Sequence, residues 1–455
     1  MVTPGTRGVR EDLLTSMREA IRTGRLPAGT VLPPSRGLAA DLGLARNTVA
    51  EVYAELVAEG WLASRQGAGT WVSRTAAGPA EPGRTRATPG APAHDLLPGT
   101  PDVSAFPRAA WLAAGRRALT AAPTEAFRMG DPRGRVELRT AVAEYLSRAR
   151  GARVSPDSVM ITAGSRHAVE VLARMFGPTH PIAVEAYGLF LFRDAITAVG
   201  GSTSPIGIDD DGAVVADLDH LDTRAVLLTP AHHYPHGVPL HPTRRSAVVD
   251  WARRTDGYVI EDDYDGEFRY DRQPVGALQG LDPDRVIYLG STSKSLTPVL
   301  RLGWMVLPDN LIDAAVAAAG GNQWYTDGIT QLTMAEFIRN SHYDKHIRRM
   351  RGVYRRRRQV LVERLAVLGS AVRVRGLPAG LHVLLTLPDD TEHEVLRRAG
   401  SAGVGVASLS LLRHPAAGPD VPRPDGVVVN FGTPAEHAFG AAVEALCTVL
   451  ADTLR

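Results

Sequence analysis

Lysine occurs at only two positions in the 455-residue sequence, Lys294 and Lys345, although Lys and Arg together number 51. Lys294 lies in GSTSKSLTPVLRLGW, directly after an apolar run typical of a buried strand. Lys345 lies in HYDKHIRRMR, a charged helical run in which we expect it to be solvated. A lysine amine can form a Schiff base with an aldehyde, and an arginine cannot. We therefore predict a covalent role for Lys294.

Groups suited to binding phosphate accompany Lys294. Ser291 and Ser293 supply hydroxyls, and Arg301 supplies a permanent cation. A second set begins a helix directly after a strand, where free backbone N–H groups and the helix dipole attract anions: Gly164, Ser165 and Arg166. The predicted ligand therefore carries both an aldehyde and a phosphate.

The segment GYVIEDDYD offers a carboxylate for such a ligand. Alternation along a strand places Asp262 and Tyr264 on one face and directs Asp263 away, as expected for a structural residue. Asp262 can keep a pyridine nitrogen protonated and Tyr264 can donate to a phenolic oxygen, which suits pyridoxal phosphate. EDDYD alone also fits a solvated acidic turn, and STSK alone an ordinary loop. Their joint occurrence at the ends of consecutive strands favours the cofactor site.

Residues 95–455, which carry these groups, alternate short β-branched runs with longer helical patterns. Apolar strands separated by helices predict an α/β domain with a mostly parallel sheet covered on both faces. Ligands bind at the carboxyl ends of the strands in such sheets. His232, His233 and His236 follow one strand without the carboxylate or cysteine spacing of a metal site, so we predict no metal and assign His232 to the wall of the cofactor pocket.

Residues 1–73 follow a different pattern, which predicts a winged helix-turn-helix domain. The apolar stripe of a first helix runs from Val9 to Ile21, and a second helix has Ser35 as its expected N-cap and ends at Gly43. A third helix follows, and WLASRQGAGTWV predicts a hairpin around a glycine-containing turn.

The third helix of such a domain enters the major groove of DNA. Base or phosphate contacts are predicted at the starts of the second and third helices and at the wing tip: Arg36, Arg46, Asn47, Thr48 and Arg65. The arginines alone also fit a solvated helical domain. The complete order of elements favours DNA binding.

The bulk composition predicts a soluble cytoplasmic protein. The formal net charge is +2, so nucleic-acid binding requires a local basic face. The single cysteine, Cys447, excludes an internal disulfide, and the sequence has neither an apolar signal core nor a long uncharged run.

Residues 74–94, rich in Ala, Gly, Pro and Arg, predict a semi-extended linker. The run Arg355–Arg358 is expected to form a solvated face or a subunit contact.

LPPSRGLAADLGLARNTVAEVYAELVAEGWLASRQGAGTWV resembles the DNA-binding domain of GntR-type regulators, and the resemblance extends over residues 10–73. It implies that Arg36, Arg46, Thr48 and the wing at Gly67 contact DNA. Ala45 stands where that family usually has Ser or Thr, so a phosphate contact or an N-cap is expected to be missing.

STSKSLTPVLRLGW, IEDDYDGEFRY, GDPRGRVELRTAVAEYL and ITAGSRH resemble the fold-type I aminotransferases. LPGTPDVSAFP and HYDKHIRRMRGVYRRRR resemble the MocR/GabR-like regulators, in which both domains occur in one chain, and the PdxR-type subgroup is included among these. The resemblance implies a homodimer, often domain-swapped, that binds pyridoxal phosphate. It implies that Lys294 forms a Schiff base, that Asp262 contacts the pyridine nitrogen and that Tyr264 contacts the phenolic oxygen. It also implies that Tyr187 stacks on the ring and that Ser165, Ser291 and Arg301 bind the phosphate.

The sequence departs from the aminotransferase pattern in two places. Aminotransferases hold the substrate carboxylate with an arginine near the C-terminal end, and Val428 stands at that position here. Arg413 or Arg423, in the preceding loop, remain alternatives for that role. Met129 stands where a tyrosine often reaches the partner subunit's phosphate. Both departures argue against efficient turnover of amino acids.

The sequence thus predicts a transcriptional regulator that binds double-stranded operator DNA and senses pyridoxal phosphate, or an amine that reacts with it, in vitamin B6 or amino-acid metabolism. The alternative is a working aminotransferase with a vestigial DNA-binding head. Since the substrate arginine is missing, we expect residual half-transamination at most.

Overall fold

The computed structural model describes residues 8–73, 91–270, 275–321 and 326–454. The chain divides into two compact units, Met1–Gly90 and Ala91–Arg455. Of the predicted linker, residues 74–90 lie outside the described residues, and His94 pairs with Val404 in a strand of the second unit. Among the described helices, none has the length and apolar character needed to cross a membrane.

The first unit contains three helices and a small sheet: α1 (Val9–Arg22), β1 (Val31–Leu32), α2 (Ser35–Leu42), α3 (Arg46–Ala58), β2 (Leu62–Arg65) and β3 (Gly69–Val72). The strands pair antiparallel in the order β1-β3-β2. Gly67 adopts a φ of 83° in the turn between β2 and β3, a conformation that favours glycine. This arrangement confirms the predicted winged helix-turn-helix.

The apolar stripe of α1 packs against α3. Leu13, Met17 and Ile21 are buried in one cluster with Val52 and Leu56. The ends of the helices differ from the prediction. Helix α2 begins at Ser35, so the preceding Pro34 occupies the N-cap position and provides no side-chain cap. Val9 is 43% exposed because α1 begins there and its first turn extends past the core.

The second unit contains the remaining strands: β4 (His94–Asp95), β5 (Val159–Thr162), β6 (Ile182–Glu185), β7 (Thr203–Ile206), β8 (Ile208–Asp209), β9 (Gly212–Ala213), β10 (Ala225–Leu228), β11 (Tyr258–Asp262), β12 (Val286–Ser291), β13 (Gly303–Val306), β14 (Arg373–Arg375), β15 (His382–Thr386), β16 (Val404–Gly405), β17 (Ala407–Ser408) and β18 (Gly426–Asn430). Its α-helices are α4 (Arg108–Ala121), α5 (Val136–Arg150), α6 (Ser165–Phe176), α7 (Phe190–Ala198), α8 (Pro242–Thr255), α9 (Ile312–Ala318), α10 (Gly328–Arg339), α11 (His342–Leu365), α12 (Glu392–Ser401) and α13 (Glu436–Thr453).

The main sheet of the second unit has seven strands within the described residues, in the order β5-β13-β12-β11-β10-β6-β7. All neighbouring pairs are parallel except those that β13 makes with β12 and β5. A four-stranded sheet, β14-β15-β18-β17, follows near the C-terminal end of the chain. The predicted α/β class with a mostly parallel sheet is confirmed.

Both faces of the main sheet are covered, as its uninterrupted apolar strands predict. Ile182 and Val184 of β6 pack with α6 and α9, while Ala183 between them packs with Val248 of α8. Successive residues therefore serve opposite layers, and the polar residues that end these strands come together at one edge of the sheet.

Candidate functional site

A cavity of about 500 Å³ lies at the carboxyl ends of the parallel strands. Nine of the residues singled out in the sequence line it: Gly164, Ser165, Arg166, Asp262, Tyr264, Ser291, Ser293, Lys294 and Arg301. They come from the ends of β11 and β12, the start of α6 and the loop before β13. Residues 137 positions apart in the chain therefore share one site, as Gly164 and Arg301 illustrate.

Lys294 follows β12 and lines the cavity. Its Nζ donates a hydrogen bond to the Gly99 carbonyl at 2.7 Å. Burial lowers the pKa of the amine to about 8, although Asp265 and Asp262 act in the opposite direction. A substantial fraction of the amine is therefore neutral near pH 8, which is the nucleophilic form.

Asp262 is the last residue of β11, and its Oδ1 is buried without a hydrogen-bond partner among the described residues. Burial, together with the nearby Asp263 and Asp265, raises the pKa of this carboxyl to about 8, although Lys294 acts in the opposite direction. A buried carboxyl surrounded by other carboxylates lacks a cationic donor. The protonated pyridine nitrogen of pyridoxal phosphate fits that requirement.

Tyr264 lines the cavity although β11 ends at Asp262. The predicted placement of the two side chains is thus correct, but strand alternation is not its cause. The Tyr264 hydroxyl lies 3.2 Å from His232 Nδ1, which lies 2.9 Å from Asp265 Oδ2. Burial raises the pKa of Tyr264, with a further contribution from Asp265. The phenol is therefore a hydrogen-bond donor near neutral pH.

Asp263 points away from the cavity into a buried ion pair. Its carboxylate accepts hydrogen bonds from Arg150 Nε at 2.6 Å and Nη2 at 2.9 Å, and from the Tyr288 hydroxyl at 2.7 Å. Gly266 lies so close that an added Cβ would be 2.1 Å from the Asp263 carboxylate. Asp263 is thus structural, as its predicted orientation requires.

The phosphate end of the cavity is built around the start of α6. Gly164, the N-cap of α6, has a φ of 100°. It lies so close to Gly303 that a Cβ added at Gly303 would be 2.9 Å from the Cα of Gly164. Ser291 Oγ donates to Ser293 Oγ at 2.8 Å. The Arg301 side chain has no hydrogen bond or ion pair within the part of the chain that the structure describes. Free N–H groups, hydroxyls and an unpaired guanidinium together suit a phosphate.

Arg166 is partly committed elsewhere, because its Nε donates to Glu170 Oε1 at 3.0 Å. It lines the cavity, but as an exposed side chain paired along α6. The structure therefore supports the predicted phosphate contact of Arg166 less than that of Arg301, whose side chain has no partner among the described residues.

Two predicted pocket residues do not line the cavity. The Tyr187 hydroxyl donates to the Pro422 carbonyl at 2.8 Å, and the ring packs with Leu409 and Leu412. His232 lies behind Tyr264 and is nearly completely buried. Tyr187 is therefore placed for packing rather than for ring stacking, and His232 is placed to orient Tyr264.

Six further polar residues line the cavity: Glu185, Arg193, Thr229, Tyr234, His382 and Asn430. Glu185 Oε2 accepts a 2.7 Å hydrogen bond from Thr229 Oγ1, and burial raises the pKa of Glu185 to about 8. Burial lowers the pKa of His382 to about 3, so this imidazole is neutral. Glu185 ends β6, so the strand-end rule applies to it as well. His382 and Asn430 belong to a different sheet, and their positions follow from the tertiary fold alone.

His232, Asp265 and His382 also offer ligand atoms within 4.8 Å of one another. One ring nitrogen of each histidine takes part in a hydrogen bond, His232 Nδ1 with Asp265 Oδ2 at 2.9 Å and His382 Nε2 with the Pro235 carbonyl at 3.2 Å. His232 and Asp265 form a hydrogen-bonded chain that supports the Tyr264 hydroxyl.

The carboxylate arginine of aminotransferases has no substitute in the preceding loop. Val428 is fully buried in β18 among apolar side chains. Arg413 Nη2 donates to the carbonyls of Ala417 at 3.0 Å and Gly418 at 2.7 Å, and neither Arg413 nor Arg423 lines the cavity.

The first unit presents the residues predicted to contact DNA at its surface. Arg46 and Asn47 begin α3 and are exposed, and Arg36 is exposed in the first turn of α2. Thr48 is half-buried. Ala45 is the N-cap of α3 and makes no side-chain cap, so the helix start is open. Arg65 and Gly67, at the wing, are exposed as well.

Comparison with known families matches both units. Residues 10–72 match the family described as bacterial regulatory proteins of the gntR family. Residues 100–410 match the family described as aminotransferase class I and II.

Individual proteins match most of this chain. The HTH-type transcriptional regulator YdeL of Bacillus subtilis is 35% identical, and the match covers 89% of this chain and 90% of YdeL. The HTH-type pyridoxine biosynthesis transcriptional regulator PdxR of Corynebacterium glutamicum is 32% identical over 92% and 91% of the two chains. Kynurenine aminotransferase of Pyrococcus horikoshii has a similar structure, with a TM-score of 0.71 and 26% identity, over 80% of this chain and 91% of the enzyme.

Proposed function

Because the chain belongs to the HTH-type transcriptional regulators that join a GntR domain to an aminotransferase class I and II domain, we propose that it binds operator DNA and pyridoxal phosphate, and that the cofactor alters its affinity for DNA. The cofactor occupies the cavity at the strand ends of the second unit. The winged helix-turn-helix of the first unit reads the operator.

The observation that carries this proposal is the set of unpaired groups around one cavity. Asp262 Oδ1 is buried without a donor, Arg301 has no partner among the described residues, and Lys294 is an amine with a lowered pKa. Pyridoxal phosphate offers a pyridinium N–H, a phosphate and an aldehyde to these groups in turn. When bound, it supplies an aldehyde and an electron sink.

The chain's own residues then have distinct tasks. Asp262 holds the ring proton, Tyr264 donates to the phenolic oxygen, and His232 fixes the orientation of Tyr264. Ser165, Ser291 and Ser293 bind phosphate together with Arg301. Main-chain N–H groups at the start of α6 add to the phosphate site.

Regulation is favoured over amino-acid turnover because Val428 stands where aminotransferases have the arginine that binds the substrate carboxylate. Val428 is buried away from the cavity, and Arg413 is bound to loop carbonyls. A regulator needs only a ligand that binds two states of the protein with different affinity. The relative PdxR is by name a regulator of pyridoxine biosynthesis, which supports vitamin B6 metabolism as the regulated process.

A homodimer is part of the proposal. Several apolar side chains are exposed on α4, α10 and the 3₁₀ turn Thr124–Phe127, which pack together through Ala118, Ala126 and Leu332. These exposed side chains are Leu112, Leu119, Phe127 and Ile329, and the exposed Met129 follows the turn. An apolar surface of this kind suits burial against a second copy. Two-fold symmetry then favours an operator with two half-sites.

The experiment measures DNA affinity as a function of the cofactor. Operators are first selected by the full-length protein from a random duplex library. The Kd of the selected DNA is then compared with and without pyridoxal phosphate, for the wild type and for Lys294→Ala. We expect a change of about 5- to 150-fold in the wild type, the usual range of allosteric coupling, and a smaller change in the variant. If the Kd of the wild type and of Lys294→Ala is the same with and without pyridoxal phosphate, the proposal is contradicted.

A further inference from the structure

The free amine of Lys294 is bound to a short piece of chain that follows β4, residues 97–100, which we call the Gly99 segment. Three of its residues line the cavity: Leu97, Pro98 and Gly99. The Gly99 carbonyl accepts the 2.7 Å hydrogen bond from Lys294 Nζ. Gly99 has a φ of 131°, a conformation that favours glycine. The segment therefore presents a main-chain oxygen to the one group that is expected to react with an aldehyde.

Thr433, three residues after β18, holds the Gly99 segment on both sides of Gly99. Its Oγ1 lies 2.9 Å from the Leu97 carbonyl oxygen and 2.8 Å from the Thr100 carbonyl oxygen, so one hydroxyl proton is shared between two acceptors. Thr433 itself does not line the cavity. Its hydroxyl thus fixes the position of the carbonyl that accepts from Lys294 without contacting a ligand in the cavity.

The hydrogen bond to Gly99 requires a free amine. When a lysine forms a Schiff base, its nitrogen bonds to the aldehyde carbon, and the aldehyde oxygen leaves as water with two of the hydrogens of the nitrogen. At most one hydrogen then remains on the nitrogen, and the phenolic oxygen of pyridoxal phosphate competes for it. The aldehyde and the Gly99 carbonyl therefore compete for Lys294.

The Gly99 segment is the part of the cavity lining that lies nearest in sequence to the DNA-binding unit. The predicted linker, residues 74–94, leads into β4, and Leu97 follows β4 by two residues. After the segment, the chain is fixed to α11, because Arg357 Nη2 donates to Asp102 Oδ2 at 2.9 Å and Arg349 Nη2 donates to the Ala105 carbonyl at 2.6 Å. The stretch from β4 to the Gly99 segment therefore joins Lys294 to the linker.

Resting on the proposed function, we propose that the Gly99 segment senses whether Lys294 is free or joined to the cofactor, and that its release from Lys294 changes the affinity for DNA. Thr433 is a positioning residue, since it sets how firmly the segment holds the free amine. A ligand that fills the cavity but does not react with Lys294 leaves the segment in place. Pyridoxamine phosphate, which has an amine in place of the aldehyde, is such a ligand.

The first test compares the two ligands in cofactor-free full-length protein by calorimetric titration. Thr433→Val removes the hydroxyl at nearly constant size, and Thr433→Ser keeps it. The Kd of pyridoxal phosphate should decrease by about 2- to 12-fold in Thr433→Val, because one hydrogen bond no longer holds the segment against Lys294. The Kd of pyridoxamine phosphate should stay unchanged. General damage to the cavity would instead weaken the binding of both ligands.

The wild-type values should be retained by Thr433→Ser and by the control Thr391→Val. Thr391 makes the same kind of contact away from the cavity, since its Oγ1 donates to the Pro388 carbonyl at 2.6 Å.

The second test measures the Kd of the selected operator for the same proteins with each ligand. Pyridoxal phosphate should change this Kd by about 5- to 150-fold in the wild type, and pyridoxamine phosphate should leave it unchanged. In Thr433→Val without ligand, the Kd of DNA should already be shifted toward the value of the cofactor-bound wild type. The further change on adding pyridoxal phosphate should therefore be at least about twofold smaller than in the wild type.

The outcomes separate this inference from the proposed function. If pyridoxamine phosphate changes the Kd of DNA as much as pyridoxal phosphate does, or if Thr433→Val binds pyridoxal phosphate no more tightly than the wild type, the inference is wrong and the proposed function stands. If neither ligand changes the Kd of DNA in the wild type, the proposed function itself is wrong and the regulatory part of the inference falls with it. The titrations of Thr433→Val then still decide whether the segment holds the amine.

Discussion

Lys294 and Asp262 are destabilised in their charged forms by the same surroundings. Burial lowers the pKa of the lysine and raises that of the aspartic acid, to about 8 in each case. Near neutral pH the Asp262 carboxyl is therefore mostly neutral, whereas the Lys294 amine is mostly protonated and its neutral fraction grows as the pH approaches 8. A ligand that reacts with an amine and presents a cationic N–H to a carboxylate relieves both conditions.

The lowered pKa of Lys294 predicts how pyridoxal phosphate enters the protein. Below about 8 the amine is mostly protonated and cannot attack an aldehyde, and above it the neutral amine predominates. The rate of cofactor incorporation, followed by stopped-flow absorbance, should therefore rise as the pH increases through about 8. A rate that falls over the same interval contradicts the assigned role of the amine.

Asp262→Asn removes the charge that pairs with the ring nitrogen. A hydrogen bond to a charged group contributes about 1.5 to 3 kcal/mol, so the Kd of pyridoxal phosphate should increase by roughly 10- to 150-fold. Asp222→Asn is a matched control, because Asp222 is 92% exposed. Fluorescence titration of both variants measures the difference. Equal affinities of the two variants would exclude a pairing of Asp262 with the ring.

At the scale of elements, the parallel sheet positions the site and a buried ion pair supports it. Arg150, at the end of α5, and Asp263, directly after β11, are 4% and 0% exposed. Asp263 follows Asp262 directly in the chain, so the ion pair fixes the chain at the end of β11. Removal of one partner leaves a buried charge unpaired.

Asp263→Ala should accordingly lower the stability of the second unit by about 3 to 5 kcal/mol. Asp250, whose ion pair with Arg253 is at the surface, provides the control, and its replacement by alanine should have little effect. The midpoint of urea unfolding, followed by circular dichroism, measures both. An unchanged midpoint for Asp263→Ala would rule out this supporting role.

The order of elements and most of the cavity could be predicted from the sequence because strands, helices and strand ends leave local signals. Gly164, Lys294 and Arg301 each lie at such an end. The position of Tyr187 could not be predicted, because its contact with Pro422, 235 residues away, depends on the tertiary fold. The position of His382, which lines the cavity from another sheet, could not be predicted for the same reason.

The arginine run of α11 shows the same limit of local patterns. The sequence predicts a solvated face or a subunit contact for Arg355–Arg358, and Arg355 and Arg356 are indeed exposed. Arg357 is 3% exposed and pairs with Asp102 at 2.9 Å, so the expectation is wrong for that residue. Because all four residues are arginine, the local sequence does not indicate which one faces the core.

At the scale of the whole molecule, the account joins two units with separate tasks. The DNA-binding task is tested by Arg46→Ala, because Arg46 begins α3 and is exposed. Loss of one base or phosphate contact should weaken operator binding by about 10- to 100-fold. Arg22→Ala is the control, since Arg22 lies on α1 and pairs with Glu19 at 2.7 Å. Electrophoretic mobility shift at fixed salt measures both; unchanged binding by the Arg46 variant contradicts the assignment of α3 to the groove.

The central claim is that Lys294 is the amine that binds pyridoxal phosphate, and the chain offers its own control. The protein is incubated with pyridoxal phosphate, its visible spectrum is recorded, and the adduct is reduced with borohydride and located by peptide mass analysis. The account predicts a visible band and one modified lysine, Lys294, in the wild type and in Lys345→Ala, and neither in Lys294→Ala. A band that persists in Lys294→Ala, or a label found on Lys345, would contradict the account.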